Sequence, residues 1–157
     1  MKISIVTGPV HSGKTTFLQK FIAEKKNVAG IISPVMNDTR FFQNILTEET
    51  QSMETSSEDP APLHIGKFYF SQIAFDWAIN VIENATTNQA DIIIIDEIGP
   101  LELQDNGFAK LLKNILLKDK FDGELILVIR DKILEEVILF FNLNKEKINF
   151  IKWKYPN

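Results

Sequence analysis

The sequence predicts a three-layer α/β fold with a mainly parallel central sheet and helices on both faces. Apolar runs such as VAGII (28–32), IIII (92–95) and ELILVI (124–129) are too continuous for strands with one wet face, so they read as buried parallel strands. Segments between them carry apolar residues at helical spacing. Strand and helix then alternate along most of the chain, the pattern that crossover connections impose on a parallel sheet. The 157 residues suit a single domain spanning 1–157, with no internal repeat and no interdomain linker.

Taken in order, KISIV (Lys2 to Val6) is a first strand that stops at Gly8. Thr15 to about Lys25 follows as a helix, with Phe17, Leu18, Phe21 and Ile22 on one side. Val28 to Ile32 is a second strand, stopped by Ser33 and Pro34. Arg40 to Thr47 is strand-like but alternates poorly, which fits a hairpin arm. Thr47 to Pro62 holds five carboxylates, no basic residue and almost nothing apolar, and reads as an exposed loop, either a solvated excursion or a lid. Residues 71–85 form a helix burying Ile73, Ala74, Trp77, Ala78, Val81 and Ile82. A further helix buries Phe108, Leu111, Leu112, Ile115 and Leu116. Asp122 and Gly123 turn into the strand 124–129, Ile133 to Phe141 is a last helix, and Ile148 to Trp153 a last strand.

Composition sets the class of partner. The formal charge of −4 gives no basic footprint for nucleic acid or an anionic membrane, and neither is expected as a partner. Cysteine is absent, which removes disulfides and thiolate metal sites and makes the cytoplasm the expected location. The apolar run Ile3 to Val6 is too short for a signal peptide, and no stretch approaches the ~18 apolar residues of a membrane span.

The chemistry starts at GPVHSGKT, residues 8–15, which satisfies G-x-x-x-x-G-K-[ST] between a strand and a helix. Gly8 lets the chain leave the strand, and Gly13 lets backbone approach a phosphate. Pro9, Val10, His11 and Ser12 complete the loop, and the amides around Ser12 to Thr16 point at an anion from a helix N-terminus. Lys14 supplies charge to β- and γ-phosphates, and the Thr15 hydroxyl a ligand for Mg2+. His11 stands where glycine is expected; histidine tolerates a positive φ better than a β-branched residue does. The expected ligand is a nucleoside triphosphate.

Asp96 and Glu97 follow the isoleucine run, at the carboxyl end of a parallel strand, where ligands of open α/β sheets bind. Asp96 fits a magnesium ligand, and Glu97 a base that orients and deprotonates water; without the phosphate loop, such a pair would read as a strand-end cap. Arg40 and Arg130 are the chain's two arginines. Arg130 ends a strand on the phosphate edge, where it could neutralise transition-state charge or form a surface ion pair. Arg40 reads as structural. Phe41, Phe42, Phe68, Tyr69 and Phe70 could stack on a base, but such aromatic clusters are more often core.

GPVHSGKTTF, IIIIDEIGPLEL (92–103) and VIRD (128–131) together resemble the thermophilic-type nucleoside-triphosphatase family, over nearly the whole chain. The resemblance implies a P-loop fold with a RecA-like sheet, and Mg2+-dependent hydrolysis of ATP, GTP and other nucleoside triphosphates with little base selectivity. It places the loop lysine and threonine on Lys14 and Thr15, the acidic pair on Asp96 and Glu97, and the family arginine on Arg130. Two features depart from the family pattern. His11 replaces a glycine, and TRFFQNILTEET keeps Arg40 and an aromatic but lacks the family's Gly-Phe pair. A kinase for a nucleotide or small molecule is an alternative, weakened because two phosphorylated substrates call for more arginines. A nucleotide-gated binding module, with 47–62 as its switch, is another.

Overall fold

The computed structural model describes residues 1–118 and 121–153; the remaining positions of the 1–157 span lie outside the described residues. Ten strands and five α-helices follow one another as β1 Lys2–Gly8, α1 Lys14–Ala23, β2 Val28–Ile32, β3 Val35–Met36, β4 Thr39–Asn44, β5 Thr50–Ser52, β6 Leu63–Ile65, β7 Phe68–Phe70, α2 Gln72–Thr87, β8 Ile92–Ile98, α3 Pro100–Leu103, α4 Ala109–Lys118, β9 Glu124–Arg130, α5 Leu134–Phe140 and β10 Ile148–Phe150. The main sheet has eight strands, in the order β10-β1-β9-β8-β2-β4-β3 with β5 also on β4, and β6 and β7 form a separate hairpin. From β10 to β2 every pairing is parallel; β4 joins β2 antiparallel. Strand β9 therefore separates β1, which feeds the Gly-Lys-Thr loop, from β8, which ends in the acidic pair.

Alternation along the strands divides the core between two faces. Ile93 and Ile95 of β8 and Leu125 and Leu127 of β9 face a large cluster with α2, α4 and α5, whereas Ile94, Ile126 and Val128 join a smaller one with Leu18 of α1. Helices on both faces thus make three layers, as expected. Gly30 of β2 has φ +106, and a β-carbon there would lie 2.2 Å from the Ile94 carbonyl oxygen, so β2 reaches β8 this closely only with glycine.

Several expectations change. In α2, Ile73 is 78% exposed and Phe75 is buried in its place, because the buried stripe runs Ala74, Phe75, Ala78, Ile82 and Ala85. Phe75 packs edge-on against Phe42, their centroids 4.9 Å apart, and Phe108 closes the triad. Phe42 is therefore core, and Phe68 is 57% exposed. The segment 47–62 is not all loop: β5 pairs with β4, Met53 is buried, and Glu54 bridges to Phe70. The last strand ends at Phe150; Trp153 instead stacks on Phe17 and donates from Nε1 to the Thr7 carbonyl at 3.0 Å. Helix α3, four residues opened by Pro100, was not foreseen.

Candidate active site

The loop between β1 and α1 is shaped by two residues in the left-handed region, His11 (φ 58) and Gly13 (φ 90). Histidine thus takes a glycine-like conformation, its side chain exposed. Gly13 is the N-cap of α1 and has no side chain to offer the first-turn amides, and no acidic residue occupies that turn. Those amides remain available to an anion, which the helix dipole also favours. The Ser12 hydroxyl donates to the Pro9 carbonyl at 2.6 Å, and the Lys14 ammonium to the carbonyls of Gly8 (2.9 Å) and Pro9 (2.5 Å). Burial lowers the Lys14 pKa from its ordinary value, while the charges of Glu97 and Asp96 oppose that shift.

Asp96 is 2% exposed. Its Oδ2 accepts from the Ser33 amide at 2.9 Å and from the Thr15 hydroxyl at 3.3 Å. Burial raises its pKa and neighbouring Glu97 raises it further, against those two hydrogen bonds. The Ser33 hydroxyl is buried with no hydrogen-bond partner among the described residues, and Ser33, like Asp96 and Thr15, lines a cavity over the loop. Magnesium usually takes one or two protein oxygens and fills its octahedron with phosphate oxygens and water. Asp96 and Thr15 supply such a pair, with the unsatisfied Ser33 hydroxyl beside them. Among the described residues no group of three or more His, Asp or Glu side chains forms a protein-only cage. The donor set therefore fits a hard cation carried in with phosphates.

Glu97 owes its direction to a break in the ladder. Ile95 pairs with Leu127 and Ile98 with Ile129, so Asp96 and Glu97 together oppose the single residue Val128 in a β-bulge. Glu97 sits at φ 72, a left-handed conformation that costs a non-glycine residue about 1 kcal/mol or more. Adjacent residues of a regular strand point to opposite faces, yet here both carboxylates line one cavity. Arg40 Nη1 lies 2.5 Å from Glu97 Oε1, and Arg130 Nη2 3.3 Å from Oε2. The two arginines thus converge on one carboxylate.

A cavity of about 340 Å³ runs over the loop from Val10 through Thr16 to Ser33, Asp96, Glu97, Arg40 and Arg130. The structure brings together Val10, His11, Ser12, Gly13, Lys14, Thr15 and Thr16 from the loop with the acidic pair and Arg130. Gly8 and Pro9 are not among its lining residues and present carbonyls to Lys14. Arg40 was read as structural and joins the site through a long-range pairing of its strand. Ser33 was read only as a strand stop; its place directly after a buried strand was the available signal. Glu102 was not singled out. It is 1% exposed, and its oxygens accept the Gly99 amide at 2.7 Å and the Phe108 amide at 2.9 Å.

A parallel sheet with a Gly-Lys-Thr loop at the end of β1 and an acidic pair at the end of β8 defines a P-loop α/β protein. The family described as NTPase matches residues 3–152, and the chain belongs to this nucleoside-triphosphatase family. It is similar to the nucleoside-triphosphatase THEP1 of Thermotoga sp. (strain RQ2), at 27% identity over 95% of this chain and 90% of that one. The THEP1 of Sulfolobus acidocaldarius is 29% identical over 91% of this chain and 95% of its own. The crystal structure of THEP1 from Aquifex aeolicus shares the fold, with a TM-score of 0.71 at 20% identity, covering 97% of this chain and 89% of that one.

Proposed function

We propose that the protein is a magnesium-dependent nucleoside-triphosphatase converting ATP, GTP and other nucleoside triphosphates to the diphosphate and phosphate. The observation that carries this reading is the placement of Glu97, which lines the loop cavity beside Asp96 with both oxygens held by arginines. Lys14 and the amides of residues 12–16 bind the β- and γ-phosphates. Thr15 and Asp96 would hold the magnesium ion, which would supply positive charge to the phosphate oxygens. Glu97 takes a proton from water as the water oxygen bonds to the γ-phosphorus. The bond to the bridging oxygen breaks, and its electrons leave with the diphosphate. Arg130, with Lys14, stabilises the charge that develops.

Low base selectivity is supported by the loop cavity itself, whose lining includes no Phe, Tyr or Trp among the described residues. Phe68 and Phe70 line a different cavity, beyond Glu97. The negative formal charge and the lack of cysteine support a cytoplasmic enzyme acting on a small molecule rather than on nucleic acid or an anionic membrane. We read residues 1–157 as one such domain.

The test is phosphate release across a panel of nucleoside triphosphates, with and without magnesium, in the wild type and in Glu97→Gln. The variant is expected to lose turnover by roughly 10²- to 10⁴-fold, the usual scale for a general base, while nucleotide affinity stays within about threefold. Unchanged turnover in Glu97→Gln would overturn the assignment.

A further inference from the structure

A second cavity, of about 360 Å³, adjoins the Arg40–Glu97–Arg130 cluster and shares Val10, His11 and those three residues with the loop cavity. Its other walls are apolar, chiefly Met53, Ile65, Phe68, Phe70, Phe75 and Leu101. The volume falls within the ~300–1,000 Å³ range of small-molecule sites, far more than an attacking water occupies. Val10 (46% exposed) and Phe68 (57% exposed) stand uncovered where they line it.

Position decides what could lie there. On the proposed reading, on which this inference rests, the terminal phosphate sits against Lys14, Thr15 and Asp96. The nucleoside then trails away over the loop, and a group attacking in line enters from the side opposite the leaving oxygen, the Glu97 side. Charge narrows the occupant further. Glu54 lines the cavity, and both of the chain's arginines already meet Glu97. A nucleoside monophosphate would bring two negative charges to a site with no further arginine. An uncharged apolar molecule with one hydroxyl suits the walls, and its hydroxyl suits Glu97.

We propose that this cavity binds an apolar alcohol or phenol in line with the terminal phosphate, and that the site transfers the phosphoryl group to it in place of water. Glu97 takes the hydroxyl proton, the hydroxyl oxygen bonds to the γ-phosphorus, and the bond to the bridging oxygen breaks with its electron pair leaving on the nucleoside diphosphate. The products are a phosphate monoester and the diphosphate.

The experiment uses phenol, 2-naphthol, cyclohexanol and geraniol as probes in two arms. Without nucleotide, methyl NMR of the full chain is expected to show at least one probe shifting Met53 and Ile65. Ile65→Trp, which fills the cavity, should weaken that probe at least tenfold, and Phe68→Ala, at an exposed position, at least threefold. With γ-labelled ATP and magnesium, the same probe should yield labelled phosphate ester, and Ile65→Trp should remove it. No probe shifting these methyls, affinity indifferent to both variants, or binding without any labelled ester each overturns the proposal. Because the binding arm needs no nucleotide, absence of hydrolysis with a probe seated in the cavity counts against the triphosphatase reading. Hydrolysis with no probe seated counts against this inference alone.

Discussion

Arg40 Nη1 lies 2.5 Å from Glu97 Oε1, which ties the carboxylate at the end of parallel strand β8 to a side chain from antiparallel strand β4. The pair is about four-fifths buried at both ends. Arg40→Ala frees one oxygen of the proposed base and leaves Arg130 as its remaining guanidinium. Turnover is expected to fall about 10- to 100-fold, somewhat under the loss seen when an oriented charge-stabilising donor is removed, with nucleotide affinity changed less than about fivefold. Arg40→Lys should recover only part of this, since an ammonium lacks the planar fork. Steady-state kinetics with separate nucleotide titrations checks both.

His11 holds a left-handed conformation (φ 58) with its side chain exposed at the rim of both cavities. Relief of about 1 kcal/mol of left-handed strain in His11→Gly is offset by the added freedom glycine gives the unfolded chain. Nucleotide affinity is expected to change less than about threefold, as measured by titration calorimetry. A loss of tenfold or more would show that the imidazole itself contacts the ligand.

Glu102 gives the protein a pH-dependent stability separate from catalysis. Burial pushes its pKa from the ordinary 4.5 up to about 7, against the Gly99 and Phe108 amides that favour its ionised form. Between those values the folded state keeps a proton that the unfolded state has released. Stability from this group is therefore full below about pH 4.5 and is lost as pH rises through about 7, on the order of 3 kcal/mol in all. In Glu102→Gln the amide sacrifices one accepting oxygen at every pH but removes this slope. Urea unfolding of both proteins at pH 4.5, 6 and 8 should show the difference between them moving in that direction.

Gly30→Ala should damage the fold more than any exposed substitution. Its β-carbon would meet the Ile94 carbonyl at 2.2 Å, and φ +106 is foreign to alanine. A loss of about 3 kcal/mol follows from strain and overpacking together, or roughly 6–12 °C in melting temperature for a chain of this size. Differential scanning calorimetry measures it directly.

These effects also separate what the sequence could and could not disclose. The loop was legible because its residue types are dictated locally: glycine at the strand exit and at φ 90, lysine and threonine at the start of a helix. The isoleucine run was legible because only a strand covered on both faces tolerates it. The bulge at Asp96 and Glu97 was not, since it depends on how β8 registers against a strand some thirty residues later. Arg40 and Met53 were undervalued for a similar reason, because pairing with distant strands brings them inward. Four residues of α3 are too few to show a helical period.

The place of β4 outside the parallel part of the sheet has one more implication. The strands that carry the loop and the acidic pair are interior members of a parallel sheet, where a changed residue disturbs neighbours on two sides. Strand β4 has a long partner only in β2 and otherwise meets the short β3 and β5. Within the stretch from Val35 to Glu54, the positions other than the buried Phe42 and Met53 therefore offer a place to retune the surroundings of Glu97 while the strands that carry the loop and the acidic pair stay as they are.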